Sequence, residues 1–208
     1  MSQKTDLLIH ELIVVAFDMC SSSNIVEDLT LTGNIHRYRD FLTTLKRWLR
    51  DQAKQNRFII YKFTGDGWIL LFMSDADGGA LLSFLHSLCD LVKRELKNEI
   101  MPYLESPPTV TGVAIGIEKG PLVKMIMLQQ VEFVGRALNV ACRLQNAVKD
   151  KGGPPAYKAL VSNQVYNTYL RDKNSFKAWR AERVLRNIRG GDRYKCWKID
   201  FMRREARG

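Results

Sequence analysis

Apolar positions follow two different periods along the chain, which predicts a mixture of strands and helices. Residues 11–19 are almost continuously apolar and rich in β-branched and aromatic side chains, as expected of a buried strand that ends at Asp18. Between 34 and 56, apolar side chains recur every three or four residues, which predicts an amphipathic helix. The same period predicts a second long helix over 77–101, with Asp77 as its N-cap.

Paired runs of apolar residues predict β-hairpins. Two such runs flank residues 64–67, where two glycines suit a tight turn and place Asp66 at its tip. A second hairpin is predicted over 109–128, with its turn at 118–121. The later segments predict, in order, a helix over 135–149, a short strand over 159–161, a short helix capped by Ser162 and a pair of basic strands around 189–192.

The order of these elements is β, α, hairpin, α, hairpin, α, β, α, hairpin. It predicts an α+β fold in which helices pack on a mostly antiparallel sheet. The chain has 208 residues, of which 46% are hydrophobic and 26% are charged. This is the composition of an ordinary globular protein, which excludes intrinsic disorder and a collagen-like repeat. We therefore expect a single domain over residues 1–208.

The sequence shows no membrane-spanning segment, no export signal and no cysteine-based site. No apolar run approaches the roughly 18 to 20 residues that cross a bilayer, and the N-terminal segment lacks a small-residue cleavage site. The four cysteines are scattered and form no CxxC pair or Cys/His cluster, so neither a disulfide scaffold nor a zinc site is predicted. They suit a reducing compartment. A soluble, cytoplasmic protein without a membrane partner is expected.

The net charge is strongly positive and unevenly distributed. There are 32 Lys and Arg against 22 Asp and Glu, which gives a formal charge of +10. Residues 171–208 contain 13 basic and 5 acidic side chains, against 19 and 17 in residues 1–170. A polyanionic partner or substrate is therefore indicated. Trp179, Tyr194 and Trp197 lie among these basic residues, so nucleic-acid binding is one interpretation and a solvated pair of basic strands is the other.

Two acids and one helix face carry the candidate chemistry. Taken alone, Asp18 and Asp66 are each compatible with an ordinary cap or turn residue. Together they are more informative, because a strand and a neighbouring hairpin could bring both carboxylates within reach of one or two divalent cations. Asn139 and Arg143 are separated by four positions on the predicted helix 135–149 and therefore share one face, which could meet a phosphate or a ribose.

With these segments in this order, the sequence resembles the class III nucleotide cyclases, the catalytic domain of adenylate and guanylate cyclases. The resemblance extends over about residues 11–199, and it implies a ferredoxin-like core. A weaker similarity to the closing basic hairpin of the family lies in RNIRGGDRYKCWKI. The four segments that carry the resemblance are VVAFDM, YKFTGDGWILLF, VAIGIEKGPLV and EFVGRALNVACRL.

The resemblance implies a role for each residue that matches the family motifs. Asp18 and Asp66 would bind two Mg²⁺ or Mn²⁺ ions, with the carbonyl of Met19 as a further ligand. Arg143 would stabilise charge on the α-phosphate in the transition state, and Asn139 would orient the ribose. The implied reaction converts a nucleoside triphosphate into a 3′,5′-cyclic nucleotide and pyrophosphate.

The family's site lies between two subunits, so the resemblance also implies a homodimer with two composite sites. The sequence departs from the family after the first metal-binding acid, where a small residue and a Phe-Thr or Phe-Ser pair are usual. Here Cys20 is followed by Ser21, Ser22 and Ser23, which are either a phosphate cradle or a plain N-cap. In the closing basic strands, Arg189 is the candidate contact for the triphosphate.

Lys62 and Glu132 occupy the positions where adenylate cyclases have a base-contacting lysine and aspartate, whereas guanylate cyclases have Glu and Cys there. A lysine donor with a carboxylate acceptor matches adenine and uracil equally. The longer Glu132, beside the bulky Phe133 and Arg136, favours a smaller base.

A short cyclase domain with an Asp-Met-Cys-Ser-Ser-Ser turn also resembles the pyrimidine cyclases of the bacterial anti-phage system called Pycsar, which make cyclic UMP or cyclic CMP. The preferred interpretation is a uridylate cyclase acting on UTP. ATP, with cyclic AMP as product, is the alternative substrate, and CTP remains open. Two interpretations of other classes also remain open, a basic nucleic-acid-binding protein and a catalytically inactive cyclase-like regulatory module.

Overall fold

A computed structural model of the chain describes residues 8–149 and 154–204. Within these ranges it contains one sheet of eight strands. The strands are β1 (Leu8–Cys20), β2 (Phe58–Phe63), β3 (Gly67–Met73), β4 (Gly112–Met127), β5 (Gln130–Val134), β6 (Lys158–Ser162), β7 (Phe176–Arg183) and β8 (Tyr194–Arg204). Their order in the sheet is β2-β3-β1-β4-β6-β8-β7, and β5 pairs with β4. Neighbouring strands are antiparallel except β4 and β6, which are parallel.

Helices pack on this sheet, which confirms the predicted α+β fold with a mostly antiparallel sheet. α3 continues through a π turn at 96–100 and a 3₁₀ turn at 101–103, and α5 continues through a π turn at 166–170. No helix in the described part of the chain is both long and apolar enough to cross a membrane. The helices are α1 (Ser22–Leu31), α2 (Ile35–Gln55), α3 (Gly78–Glu95), α4 (Arg136–Ala147) and α5 (Asn163–Val165).

β1 lies inside the sheet between β3 and β4, and from Leu12 to Phe17 both of its faces are buried. Ile13 and Val15 pack with α2 and α3 in the larger apolar cluster, whereas Val14 and Ala16 pack towards α4 on the opposite face. A strand covered on both faces has a continuous rather than alternating apolar pattern, which explains the run seen in the sequence. Because β3 and β4 pair with β1 along its two edges, the position of Asp18 near its end is firmly fixed.

Two of the predicted helix N-caps are confirmed. The Asp77 carboxylate accepts a hydrogen bond from the backbone N–H of Ala80 at 2.9 Å, at the start of α3. The Ser162 hydroxyl accepts one from the backbone N–H of Val165 at 3.3 Å. Such caps satisfy N–H groups that have no partner within the helix.

The predicted turn of the second hairpin, at 118–121, is wrong. β4 continues through this segment, and the turn lies instead at Leu128 and Gln129, which have φ angles of +48° and +67°. Asparagine and glycine usually occupy such a turn, so this sequence gave no signal for it. Pro121 remains within β4 because, on the edge away from β1, it lies between the stretch that pairs with β5 and the stretch that pairs with β6.

α1 was not predicted as a separate helix. It buries only Ile25 and Leu29, so it lacks the long apolar stripe that identifies α2. Its N-cap residue, Ser21, has a left-handed backbone with φ of +60°, and its side chain does not cap the helix. The plain N-cap interpretation of the serine segment is therefore wrong for Ser21.

The closing hairpin, β7 and β8, holds the C-terminal end of α4. The Arg183 Nε donates to the carbonyl of Ala147 at 3.0 Å, and the Lys198 Nζ donates to the carbonyl of Val148 at 3.2 Å. Both cations are buried, and burial lowers the pKa of Lys198 to about 8. Carbonyls at a helix C-terminus lack partners within the helix and attract positive charge. Part of the C-terminal positive charge therefore stabilises the fold.

We predict that Arg183→Met destabilises the protein by about 1–3 kcal/mol, because a buried carbonyl loses a charged donor. Urea denaturation measures this change. Arg186→Met is the matched control, since Arg186 is exposed in the following loop. Equal stability of the two variants would contradict the assigned role.

Candidate active site

The sheet brings Asp18 and Asp66 together, as expected. β1 and β3 are antiparallel with Asp18 opposite Gly67, and Asp66 directly precedes Gly67 at the tip of the β2–β3 hairpin. A Cβ atom at Gly67 would lie 1.9 Å from the Phe17 carbonyl oxygen, so only glycine permits this approach. The carboxylates of Asp18 and Asp66 therefore lie close enough for Asp66 to influence the acidity of Asp18.

This pairing changes the acidity of Asp18. Burial is the largest cause and acts together with the interaction with Asp66 and its negative charge, whereas Lys149 opposes them; the net result raises the pKa of Asp18 to about 7. Two carboxylates in contact cannot both ionise at low cost unless a cation joins them. The site is therefore suited to a divalent cation.

The donor set fits magnesium or manganese. No group of three or more His, Cys, Asp or Glu side chains that could hold a metal occurs among residues 8–149 and 154–204. Two carboxylates are nevertheless sufficient for Mg²⁺, which usually retains water and phosphate ligands. Met19 is buried in β1 directly after Asp18, so its carbonyl is the backbone candidate for a further metal ligand.

The three serines differ in their surroundings. The Ser22 hydroxyl donates to Oδ2 of Asp66, and Ser22 is also the first residue of α1. The Ser21 hydroxyl donates to the Val110 carbonyl at 2.8 Å and therefore connects this turn to the segment just before β4. Ser23 is exposed. The N-terminus of α1 thus lies beside the carboxylates, where its free N–H groups favour an anion.

A cavity of about 220 Å³ opens beside the two acids. Besides Asp18 and Asp66, its lining includes Cys142, Gln145 and Asn146 from α4. Sequence reasoning missed these three residues, because their orientation depends on how α4 is rotated against the sheet. The cavity is the space next to the carboxylates in which a ligand can be held.

Asn139 and Arg143 do not line this cavity. Both lie on α4, as predicted, but on its exposed face. Within residues 8–149 and 154–204, neither side chain makes a hydrogen bond or an ion pair. The structure therefore brings the two acids together and separates them from the Asn139 and Arg143 of the same chain.

Lys62 and Glu132 lie on strands that Tyr61 links. The Tyr61 hydroxyl donates to Oε2 of Glu132 at 2.5 Å and accepts from the backbone N–H of Phe133 at 3.0 Å. The ladder between β2 and β3 shifts register between Ile60 and Lys62, which is a bulge centred on Tyr61. Lys62 is exposed next to it. Tyr61 carried no signal in the sequence, since its contact depends on this bulge.

Arg189 lies elsewhere, in the loop between β7 and β8. It is exposed, and its carbonyl accepts a hydrogen bond from Arg136 at 3.2 Å. Arg136 is the first residue of α4, so Arg189 lies at the N-terminal end of that helix. Arg189 is therefore associated with α4, which also carries Asn139 and Arg143, and not with Asp18 and Asp66 of its own chain.

Comparisons with known proteins give structural matches only. No protein-family model matches the sequence, and no curated protein matches it. The adenylyl cyclase CyaB from P. aeruginosa has a TM-score of 0.72 at 16% identity, with 97% of each chain covered. The guanylyl cyclase Cya2 has a TM-score of 0.68 at 13% identity, with 93% of each chain covered. An adenylate/guanylate cyclase/hydrolase from Silicibacter pomeroyi has a TM-score of 0.63 at 23% identity, covering 93% of this chain and 98% of the other.

The chain has the fold of class III nucleotide cyclase domains. This confirms the fold that the sequence resemblance implied. The match to cyclase domains extends over almost the full length of both chains, so it covers nearly the whole sheet and the helices packed on it. At these identities the likeness establishes the fold alone.

We predict that Asp18→Asn stabilises the metal-free protein at pH 8 and removes most of the stability that the wild-type protein gains as the pH falls from 8 to 5. The pKa of Asp18 is raised from 3.8 to about 7 in the folded protein. As the pH falls through 7, the folded state therefore binds a proton that the unfolded state does not yet bind, and stability rises. The resulting stabilisation is lost again as the pH rises through 7.

Urea denaturation in EDTA at several pH values measures this effect. Asp51→Asn is the control, because Asp51 is an exposed acid on α2. The assignment fails if Asp18→Asn gains stability on acidification as the wild-type protein does.

Proposed function

We propose that this protein is a nucleotide cyclase, which converts a nucleoside triphosphate into a 3′,5′-cyclic nucleotide and pyrophosphate. The observation that carries the proposal is the pair of acids, Asp18 and Asp66, in contact beside a cavity of a cyclase-type fold. A fold hosts many functions, so the argument rests on this site. A half-buried acid with a raised pKa in a cavity is typical of a functional site.

Asp18 and Asp66, with the Met19 carbonyl, would hold two Mg²⁺ or Mn²⁺ ions. Bound there, the metal ions would lower the pKa of the ribose 3′-hydroxyl and neutralise charge on the departing pyrophosphate. Ser22 would keep the Asp66 carboxylate oriented, since its hydroxyl donates to that group. The N–H groups at the start of α1, together with Ser21 and Ser23, would receive the β- and γ-phosphates.

Asn139 and Arg143 would complete the site from a second copy of the chain. Their exposed positions on α4 and their lack of partners in the described residues support this arrangement. Arg143 would donate two hydrogen bonds to the α-phosphate as negative charge develops, and Asn139 would orient the ribose. Arg189, at the N-terminal end of the same helix, would contact the triphosphate. The active form is then a homodimer with two composite sites.

Lys62 and Glu132 would contact the base. The hydrogen bond from Tyr61 occupies Oε2 of Glu132, which leaves the second carboxylate oxygen for one donor on the base. Uracil N3–H and adenine N6–H both supply such a donor. We favour UTP, with cyclic UMP as product, because the Glu132 side chain, held by Tyr61 and beside the bulky Phe133, would extend further towards the base than an aspartate and so favour the smaller base. The resemblance to pyrimidine cyclases supports a proposed role in anti-phage signalling, and ATP and CTP are the alternative substrates.

Incubation with Mn²⁺ and each of the four nucleoside triphosphates tests activity and base choice together. The expected product is a cyclic nucleotide, formed fastest from UTP, and Asp66→Asn should reduce its formation at least about 100-fold. Product from ATP alone would replace the uridylate assignment. Absence of product from all four triphosphates would overturn the cyclase proposal.

A mixing experiment tests the composite site. Asp18→Asn and Arg143→Ala should each be inactive, whereas an equimolar mixture should recover about a quarter of wild-type activity. Half of the dimers formed at random contain one chain of each kind, and one of their two sites is then intact. Asp18→Asn mixed with Asp66→Asn is the matched control and should recover nothing. Full activity of Arg143→Ala alone would contradict the proposed role.

We predict that Tyr61→Phe weakens base discrimination. The ring is retained, but Glu132 loses a donor at 2.5 Å and is free to rotate. The ratio of kcat/KM between UTP and ATP should fall by about 10-fold, the size expected for one hydrogen bond to a charged group. Tyr103→Phe is the control, since the Tyr103 ring contacts Arg37 away from this pocket. An unchanged ratio would show that Tyr61 does not set the Glu132 position.

A further inference from the structure

A second cavity, of about 490 Å³, lies at the edge of the sheet that β7 forms, away from the two acids of the candidate active site. Its lining comes from α5 with the π turn that extends it, and from the closing hairpin β7–β8. The side chains that supply hydrogen-bond donors there are all on exposed residues, so a ligand can reach them. They are Asn163, Asn167, Arg171, Arg180 and Lys195.

Positive charge is concentrated around this cavity. Arg171, Arg180 and Lys195 line it, and none of the three forms an ion pair within residues 8–149 and 154–204. Glu182, the acid that the described part of the chain contributes to the lining, is paired with Arg193 at 3.1 Å. Cations that face one space without acidic partners attract anions into that space. The charge distribution therefore favours an anionic ligand.

The two amide side chains favour the same kind of ligand. Asn163 Oδ1 accepts a hydrogen bond from Nε1 of Trp197 at 3.1 Å, and Asn167 Oδ1 accepts one from Nη2 of Arg171 at 2.5 Å. Indole and guanidinium groups can only donate, so these bonds fix which amide atom is the oxygen. Each amide NH₂ group remains without a partner among the described residues. The amides therefore offer donors to a ligand, and a ligand that fits them supplies acceptors.

The aromatic ring beside the cavity is already in use. Trp197 stacks on the buried Tyr166, with 4.0 Å between ring centroids and 14° between ring planes. The Arg180 guanidinium also lies over the Trp197 ring, 5.7 Å from its centroid. Proteins that bind single-stranded nucleic acid stack bases on open aromatic faces between basic residues. This arrangement therefore favours a free anion over a nucleic-acid chain.

We propose that this cavity binds a polyphosphate anion. Phosphate oxygens are strong acceptors that carry negative charge, and the planar guanidinium of arginine can donate two hydrogen bonds to one phosphate. A cavity of about 490 Å³ has the size of a small-molecule site, which suits a chain of phosphates better than a single one. The ligand is an inorganic polyphosphate or the phosphate chain of a nucleotide. The inference is independent of the proposed cyclase reaction, because none of the donors belongs to that site.

Calorimetric titration of the full chain with inorganic tripolyphosphate tests the inference. EDTA is present throughout, so metal-dependent binding at Asp18 and Asp66 does not contribute. Arg180→Gln should weaken binding by about 10-fold, the effect of losing one hydrogen bond from a charged donor. Lys177→Gln is the matched control, because it removes the same charge from an exposed position of β7 outside the cavity. It should change the affinity by less than about twofold, since solvent and salt screen distant exposed charges.

Asn167→Asp tests the contribution of the amide. The carboxylate can still accept from Arg171, but it replaces the free donor by an acceptor with negative charge, so binding should weaken by at least about 10-fold. Gln164→Glu is its control, because it adds the same charge at an exposed position of α5 that does not line the cavity.

Titration with UTP, again in EDTA, distinguishes the two sources of the phosphate chain. An affinity no higher than that for tripolyphosphate would show that the phosphates alone are recognised. Tighter binding of UTP, weakened by Arg180→Gln, would show that a nucleotide occupies the cavity. Either result supports the inference.

Absence of tripolyphosphate binding, or equal losses in the cavity variants and their controls, would overturn the inference. Tighter binding of a single-stranded oligonucleotide, weakened equally by Arg180→Gln, would also overturn it, because the surface would then bind nucleic acid. Asp66→Asn separates this site from the proposed active site, since it should abolish cyclic nucleotide formation and leave metal-free tripolyphosphate binding unchanged. A loss of that binding as large as in Arg180→Gln would place the ligand at the acids and overturn the inference.

Discussion

Asp18 and Asp66 lie side by side although two negative charges repel each other. The surrounding structure prevents the two carboxylates from moving apart. Asp18 cannot move away, because β1 is paired along both edges and buried on both faces. Asp66 cannot move away either, because Gly67 brings the hairpin tip against the backbone of β1. The result is a site that is unfavourable when both acids are ionised and favourable when a cation joins them.

In the proposed dimer, α4 would let one chain contribute to two sites. Its inner positions, including Gln145, line the cavity of the chain's own carboxylates, whereas Asn139 and Arg143 lie on its exposed face. A helix has a fixed rotation per residue, so both faces are positioned by a single anchoring of the helix. That anchoring comes from Gly116 along its length and from Arg183 and Lys198 at its C-terminal end. The basic C-terminal segment is therefore in part a structural support for α4.

The parts of the fold that local patterns determine were predictable. The continuous run of β1, the helical period of α2 and the glycine turn at Asp66 each reflect short-range constraints, and all three are confirmed. The turn after β4 was not predictable, because Leu128 and Gln129 adopt positive φ angles that their side chains do not favour. α1 was missed because it buries only two residues and depends on its neighbours for stability.

The candidate site likewise contains some residues that local sequence patterns identify and others that they do not. Asp18 and Asp66 were identifiable because each interrupts an apolar run at a strand end or a turn. An unpaired acid next to buried apolar residues is unfavourable, so its presence indicates a function. Tyr61 and Gln145 have no such local signature, since one depends on a bulge and the other on the rotation of a helix against a sheet. The β2–β3 hairpin carries both Tyr61 and Asp66, so a displacement of this hairpin would move Asp66 and the hydrogen-bond donor of Glu132 together. In the proposed cyclase, this hairpin would therefore connect the position of Glu132, which would contact the base, with the position of Asp66, which would bind metal.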